Sequence, residues 1–396
     1  MIHLQHIDLV SLSEEHYNEV NPWVSARAKS ILNIFQVLYI KQNQRRFPKT
    51  SLRNASHGIH YKTRDKILNL LQSIFNNKDI INEYYLILRY TNRYLPKILK
   101  GNTDTLIIIS KTLDERFSRH RTPSNAKRIY DAEFFPLIFC LNHIFDYDSK
   151  FTKKNNNPSV WNAFRLATRH ATPICPYCNI NSIVTISGDN SGINSSTISE
   201  IQRSTFDHFL AQSIYPYLAL SFYNLVPSCY ICNSTHKRET IIDAENYVHP
   251  FVDGFEDKIS FVSGVELSEF LDINNYKINL KIVRNTQCED NDYFKAIKNC
   301  ELFHLLDNYN AAEEKAKFVF KKSLNISTAY IKSFIDNEFE NRLTDIKTKS
   351  EFYYHYIGNT YISAEFYKFA YSKFQFDIAT ETGLIASIQS ADFLQP

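Results

Sequence analysis

The sequence predicts an α+β protein in which a small cysteine-rich module lies between two mainly helical parts. In residues 1–155, apolar side chains recur at helical spacing. In residues 156–256, short strand-like segments alternate with loops, and two Cys-x-x-Cys pairs occur there. Residues 257–396 open with a strand-like segment and continue with helical patterns. These three ranges are the predicted domains.

The N-terminal part contains two clear helical patterns. Asn21-Pro22 fits a helix N-cap followed by the first helical position. The apolar positions that follow lie on one face and are Ile31, Ile34, Phe35, Leu38 and Tyr39. After Thr63, a second apolar face consists of Ile67, Leu70, Leu71 and Ile74. The polar run "TKKNNNPS" (152–159) ends the periodicity and predicts a domain boundary.

The middle module has weaker patterns. "SIVTIS" (182–187) predicts a strand, and the polar stretch 187–200 predicts a loop. Residues 205–206 predict a strand that leads into Asp207, and residues 230–239 begin a helix. In the C-terminal part, "YKINLKI" (276–282) alternates apolar and polar residues like a half-buried strand, and helices are predicted at 300–310 and 311–323.

Composition excludes several classes of protein. With 44% hydrophobic and 22% charged residues, the chain is typical of a globular protein. A net charge of +3 is too small to indicate nucleic-acid binding by itself. The apolar stretch 134–145 is too short to span a bilayer, and the first residues lack the pattern of a signal peptide. We therefore expect a cytoplasmic protein without a membrane partner.

Cysteine spacing predicts a metal site. Of seven cysteines, Cys140, Cys288 and Cys300 are scattered. The other four form two tight pairs, Cys175 with Cys178 and Cys229 with Cys232. In a reducing compartment such pairs favour tetrahedral Zn²⁺ over disulfides, and four thiolates leave no open position, so this zinc is predicted to be structural. The alternative is that the pairs are unrelated buried cysteines or redox pairs.

Hard ligands and a candidate base lie beside the second pair. Asp207 and His208 are consecutive, so in a strand their side chains point to opposite faces and can do different jobs. A carboxylate and an Asn amide oxygen suit Mg²⁺ or Mn²⁺, and a neutral His can accept a proton near neutral pH. Asn233 directly follows Cys232, so the zinc site would hold it against the strand of Asp207. As an alternative, Asn233 caps a helix.

A set of residues in fixed order resembles the HNH endonuclease family, whose ββα-metal motif often carries an extra four-cysteine zinc site. The set is Asp207-His208, Asn224-Leu225, Cys229-x-x-Cys232-Asn233 and Lys237. The resemblance implies that His208 is the general base and that Asp207 and Asn233 bind the catalytic cation. It implies that Asn224 braces the connection between the two strands.

The chain resembles one bacterial branch of this family more than the family in general. The stretch "DHFLAQSIYPYLALSFYNLVPSCYIC" resembles effector nucleases of Septu-type and retron-associated anti-phage systems, in which an ATPase partner is common. The resemblance extends over roughly residues 160–385 and is strongest at 170–255. Ala211-Gln212 replaces the Pro-Lys of many relatives, and His236-Lys237 leaves the position of the usual Lys ambiguous by one residue.

Several basic residues are candidates for contacts with nucleic acid. Lys237 and Arg238 follow the predicted metal ligand, and Arg169 lies with Arg165 and His170 at helical spacing before the first cysteine pair. A solvated helix face explains the last group equally well. His236 and His249 are either site residues or structural histidines.

The predicted function is a metal-dependent HNH endonuclease that hydrolyses phosphodiester bonds, with DNA as substrate. The resemblance adds a role as an anti-phage effector. One alternative is a zinc-stapled module that binds nucleic acid or protein without cleavage, and another is an enzyme that cuts RNA. The complete Asp-His-Asn-Asn set argues against the first alternative, because binding alone needs no such ligands.

Overall fold

A computed structural model gives the fold of the 396-residue chain. It describes all residues except 123–128, 156, 158, 190–197, 239, 244, 266–276, 325, 341–346, 393 and 396. Helices dominate the described residues and are joined by small antiparallel two-stranded sheets. This mixture agrees with the predicted α+β class.

Among the described residues of the N-terminal part, the α-helices are α1 (Leu9–Lys41), α2 (Lys49–Ala55), α3 (Tyr61–Ile74), α4 (Lys78–Arg93), α5 (Leu95–Lys100), α6 (Thr103–Phe117) and α7 (Phe135–Ile144). The predicted helix start at Asn21-Pro22 is wrong, because Pro22 lies inside α1. Asp8 is the N-cap and accepts a hydrogen bond from Ser11 N at 3.0 Å. The buried face of α1 continues on both sides of Pro22, from Leu12 to Leu38, and this burial offsets the proline's missing hydrogen bond.

The middle part contains α8 (Ala163–His170) and two hairpins, β1 (Ile186–Asp189) with β2 (Ile198–Gln202) and β3 (Thr205–His208) with β4 (Leu225–Ser228). Of the strand predicted at 182–187, only Ile186 and Ser187 lie in β1. Ser182 makes an isolated bridge to Ile174. The two ends of the predicted loop 187–200 belong to β1 and β2, and its centre, 190–197, lies outside the described residues.

The C-terminal part consists of one hairpin, β5 (Ile259–Val262) with β6 (Lys281–Arg284), followed by helices. The helices are α9 (Asp290–Leu302), α10 (Leu305–Ala311), α11 (Glu313–Ser323), α12 (Thr328–Glu340), α13 (Lys349–Ile357), α14 (Ser372–Glu381) and α15 (Leu384–Gln389). The predicted helices at 300–310 and 311–323 match α9 to α11.

The strand predicted at 276–282 is displaced along the chain. Ile278 and Leu280 are buried as the alternation predicts, but β6 begins only at Lys281. The backbone N–H of Ile278 donates to Glu313 Oε2 at 3.1 Å, and that of Leu280 donates to Asn310 Oδ1 at 2.8 Å. These helical side chains take the place of a strand partner. Residue 276 lies outside the described residues.

The core is continuous across the three predicted parts. Tyr130 Oη donates to Ile214 O at 2.5 Å, and His16 Nε2 donates to Leu220 O at 2.9 Å. These bonds seat the N-terminal helices against the connection between β3 and β4, and they bring α7 beside the end of β3. Within the described part of the chain, every helix is too short or too polar to cross a membrane.

Candidate functional site

A hairpin and a helical turn bring the predicted site residues together. In the antiparallel register, Asp207 lies opposite Val226 and His208 opposite Leu225. The chain leaves β4 through Cys229 and enters a π-helical turn, Ile231–Lys237, which Arg238 N closes onto Asn233 O at 3.2 Å. Turns with i→i+5 hydrogen bonds are rare in proteins, and those that occur often lie at functional sites. Asn233 Nδ2 donates to Phe206 O at 3.3 Å, which holds this turn against β3.

Asn224 holds the connection between the two strands in place. Its side-chain oxygen accepts from Leu210 N at 2.7 Å, and Nδ2 donates to Leu210 O at 3.0 Å and Leu218 O at 3.2 Å. The side chain is buried, so each of these bonds replaces one that water would otherwise make. Asn224 therefore has the geometry of a brace and does not line the cleft described next.

The end of β3 opens into a cleft of about 410 Å³. Its lining includes Asp207, His208, Asn233, Lys237 and Arg238, together with Ile138 and Asn142 of α7. A second cavity of about 490 Å³ shares Asn142 and Gln212 with the first and extends along the N-terminal helices. The helical part, whose role the sequence left unassigned, thus forms part of the wall around the candidate site.

His208 is half-buried and has a defined tautomer. Its Nε2 lies 3.0 Å from Ala219 O, and because a carbonyl only accepts, Nε2 must donate. In the neutral ring, Nδ1 then carries the lone pair. The ring also packs edge-on against Tyr147, with 4.5 Å between the ring centroids. Burial lowers the pKa of His208, which favours the neutral imidazole that a general base requires.

Asp207 is buried, and its carboxylate accepts three hydrogen bonds from two side chains. Tyr177 Oη donates to Oδ2 at 2.7 Å, and Lys237 Nζ donates to Oδ1 at 2.7 Å and Oδ2 at 2.8 Å. Lys237 Nζ also donates to the backbone oxygens of His208 and Phe209. The predicted role of Lys237 as a nucleic-acid contact is therefore wrong, because only 3% of its side chain is exposed and its donors are used inside the protein.

The donor set at the cleft fits a hard divalent cation. A carboxylate offers about four lone-pair sites, so three accepted bonds leave one free at Asp207. The Asn233 amide supplies a second oxygen, to which no donor is found among the described residues. Mg²⁺ and Mn²⁺ suit such a site because they accept few protein oxygens and retain several waters.

The four paired cysteines form a second candidate site. The sulfur atoms of Cys175, Cys178, Cys229 and Cys232 are all buried and lie within 4.8 Å of one another, so they could hold a zinc ion. Cys229 N donates to Cys175 Sγ at 3.3 Å, and Asn181 Nδ2 donates to Cys229 Sγ at 3.4 Å. Burial raises the pKa of the Cys175 thiol well above its usual value. Deprotonation of this thiol inside the cluster is therefore favoured by a bound cation.

Two further residues beside the cysteine cluster have functional contacts that no sequence motif indicates. Tyr177, between Cys175 and Cys178, joins the cluster to Asp207 by its hydroxyl. Asn179 has the left-handed backbone conformation (φ 53°), and its Nδ2 donates to Phe366 O and Phe369 O, both at 3.1 Å. The only available signal was Asn directly after a Cys-x-x-Cys pair, since Asn tolerates this conformation better than most residues.

Other predicted residues lie in different surroundings. Arg238 is exposed and lines the cleft. Arg169 does not line it and forms an ion pair with Glu15 at 2.7 Å. His249 is buried and its ring bonds to the backbone through both nitrogens, to Tyr223 O at 3.0 Å and to Phe251 N at 3.1 Å, which defines a structural role. His236 lies outside the cleft lining, 5.0 Å from the His304 ring.

His170, proposed to meet phosphates with Arg169, is buried instead. Its ring lies nearly parallel to those of Phe222 and Phe251, at centroid distances of 5.7 and 5.6 Å, and these two rings also contact each other at 5.9 Å. Neither ring nitrogen has a hydrogen-bond partner among the described residues. The pKa of His170 is lowered to about 3, mainly because burial disfavours the charged ring and also because His6 and His16 lie nearby.

We expect this histidine to weaken the fold in acid. The unfolded chain binds a proton at this residue near pH 6.5, whereas the folded chain does so only near pH 3. Stability from this source is thus fully present above pH 6.5 and is lost as the pH falls towards 3. His170→Phe should therefore reduce the drop in melting temperature between pH 7 and pH 5. An unchanged drop would contradict a buried, neutral His170.

Comparison of the chain with protein-family models, with curated proteins and with solved structures finds no match.

Proposed function

We propose that the protein is a metal-dependent endonuclease of the HNH type that hydrolyses phosphodiester bonds in DNA. The observation that supports this most is the cleft at the end of β3, which His208, Asp207 and Asn233 all line, with no donor to His208 Nδ1 among the described residues. The order of strand, strand and helical turn around that cleft is the order that the resemblance implies.

In this proposal each residue has one task. His208 Nδ1 accepts a proton from the attacking water, and the bond from Nε2 to Ala219 O keeps the ring oriented. Asp207 and Asn233 hold Mg²⁺ or Mn²⁺, which when bound neutralises charge on the phosphate oxygens and the leaving oxygen. Arg238, exposed at the cleft, is placed to contact a neighbouring phosphate. The four cysteines hold a structural Zn²⁺ that fixes the turn carrying Asn233.

The biological role that we propose follows from the resemblance alone. It is that of an anti-phage effector whose cleavage is licensed by an ATPase partner. Deletion of the gene in its native host should then increase phage plating. Unchanged plating with a range of phages would contradict the defence role and would leave the proposed nuclease activity unaffected.

One observation favours a second candidate, a zinc-stapled module that binds nucleic acid or protein without cutting. The carboxylate of Asp207 is already neutralised by the Lys237 ammonium, as in a purely structural ion pair. A cleavage assay with controlled metal content separates the two candidates.

We expect zinc-loaded protein to nick supercoiled plasmid when Mg²⁺ or Mn²⁺ is added, and to leave it intact when neither is present. Zinc content is measured in both samples, so that loss of the structural ion is not mistaken for a need for the catalytic one. Single-stranded DNA and RNA of the same sequence test the substrate class. Binding of DNA without cleavage under every metal condition would favour the second candidate.

A further inference from the structure

Lys237 Nζ is surrounded by hydrogen-bond acceptors. Three groups accept hydrogen bonds from Nζ, namely the Asp207 carboxylate and the backbone oxygens of His208 and Phe209. Only an ammonium has three N–H donors, whereas a neutral amine has two. The side chains of Lys237 and Asp207 are each 3% exposed, so water does little to screen the pair. Lys237 therefore places a full positive charge beside the candidate metal ligand.

This ion pair removes the net negative charge that a divalent cation would need. Asp207 is the only acidic residue in the cleft lining among the described residues, and Lys237 cancels its charge. Asn233 and the neutral His208 contribute no charge, and Arg238 adds a positive one. Asp148 and Asp146 line only the neighbouring cavity. Affinity for hard cations depends on the charge of the ligands, so the cleft by itself should bind Mg²⁺ or Mn²⁺ weakly.

A substrate phosphodiester would supply the missing charge. Its oxygens are hard anionic ligands, and Mg²⁺ is commonly bound through one or two carboxylates together with substrate phosphates. Asp207 lines the cleft, and its three accepted bonds leave one lone-pair site unused among the described residues. Tyr177 and Lys237 together fix the orientation of this carboxylate at the wall of the cleft.

We propose that Lys237 is a positioning residue that makes binding of the catalytic cation depend on the substrate phosphodiester, so that the cation and the nucleic acid bind cooperatively. This inference rests on the proposed function, because it assigns a role to a residue of the same cleft. Free protein is then largely without its catalytic cation, and the hydrolytic site is assembled only on a phosphodiester. By linkage, the cation tightens nucleic-acid binding by the same factor as the nucleic acid tightens cation binding.

The test is a Mn²⁺ binding isotherm, measured by electron paramagnetic resonance on zinc-loaded, full-length protein. His208→Ala serves as the background, so that added DNA duplex stays uncut. We expect weak Mn²⁺ binding without DNA and binding that is about tenfold or more tighter with it, within the usual range of coupling between sites. Lys237→Met should tighten Mn²⁺ binding without DNA by about tenfold and reduce the effect of DNA.

Matched variants separate charge from fold. Lys237→Arg retains the positive charge and should retain weak binding without DNA. Asp207→Asn added to Lys237→Met should abolish the gain, which places the ion on Asp207. Lys237→Met could lose zinc or its cooperative melting transition. In that case, Mn²⁺ affinity measured with and without DNA in the His208→Ala background still tests whether the cation and the DNA bind cooperatively.

Tight Mn²⁺ binding without DNA, equal to that with DNA, would overturn the inference and leave the nuclease intact. Unchanged Mn²⁺ binding in a folded Lys237→Met variant would overturn it as well. Absence of Mn²⁺ binding in every variant, with and without DNA, would instead overturn the proposed function.

Discussion

Replacing His208 with alanine should reduce the rate of phosphodiester cleavage by about 10²- to 10⁴-fold, the usual contribution of a general base. His208 lines the cleft, its Nδ1 has no donor among the described residues, and the bond from Nε2 to Ala219 O fixes the orientation of the ring. Alanine removes the proton acceptor and leaves Asp207, Lys237 and the cysteine cluster untouched. Plasmid nicking under single-turnover conditions measures the rate, and zinc content and melting temperature confirm the fold.

His236→Ala is the matched control for this experiment. It removes an imidazole from the same π-helical turn that carries Asn233, but His236 lies outside the cleft lining and contacts the His304 ring. We expect its cleavage rate to equal that of the wild type. If His208→Ala cuts as fast as His236→Ala, another group must activate the water.

The pH dependence of cleavage gives an independent check on the same assignment. Burial lowers the pKa of His208 from 6.5, so the base is already neutral at pH 7. The rate should therefore rise with pH along a limb centred below pH 6.5 and be level above it, as far as this residue is concerned. A limb centred above pH 7 would be incompatible with a buried His208 acting as the base.

The sequence could predict the parts of the site that depend on local spacing. The Cys-x-x-Cys pairs converge because each tight turn directs two sulfurs to one point, and all four do lie within 4.8 Å. Asp207 lies in a strand, and the turn after Cys229 is helical, as the local patterns indicated. These features need only a few neighbouring residues, so one sequence is enough to find them.

The errors concern features that depend on distant parts of the chain. Lys237 looks like an exposed cation in the sequence, but tertiary packing buries it against Asp207. His170 appears on a basic helix face, yet Phe222 and Phe251 pack against it from segments far along the chain. Pro22 resembles a helix start because its neighbours fit the first turn, whereas the long buried face of α1 decides where the helix begins. No local pattern carries this information.

The second large effect is expected from the cysteine cluster: Cys232→Ser should abolish zinc binding and unfold the module around β3 and β4. Structural zinc sites contribute about 10–16 kcal/mol of apparent binding free energy in peptides. The free energy of unfolding of a typical protein is about 5–15 kcal/mol, so loss of the zinc can remove all of it. Tyr177 and Lys237, which lie in the two turns that carry the cysteines, both donate hydrogen bonds to the Asp207 carboxylate. Cleavage should therefore be lost as well, although no cysteine lines the cleft.

Cys288→Ser is the matched control, because Cys288 is buried but lies outside the cluster. It should retain zinc, melt close to the wild-type temperature and cleave normally. Metal analysis counts the zinc, and hydrogen exchange at the backbone of residues 173–183 reports the loss of local structure. Since Cys175 N and Ile183 N both close this turn through hydrogen bonds, their protection should disappear in Cys232→Ser and persist in Cys288→Ser. Retention of zinc in Cys232→Ser would show that Cys232 is not a required ligand. Loss of zinc with that protection retained would show that packing alone holds the turn and that the bonds to Asp207 need no metal.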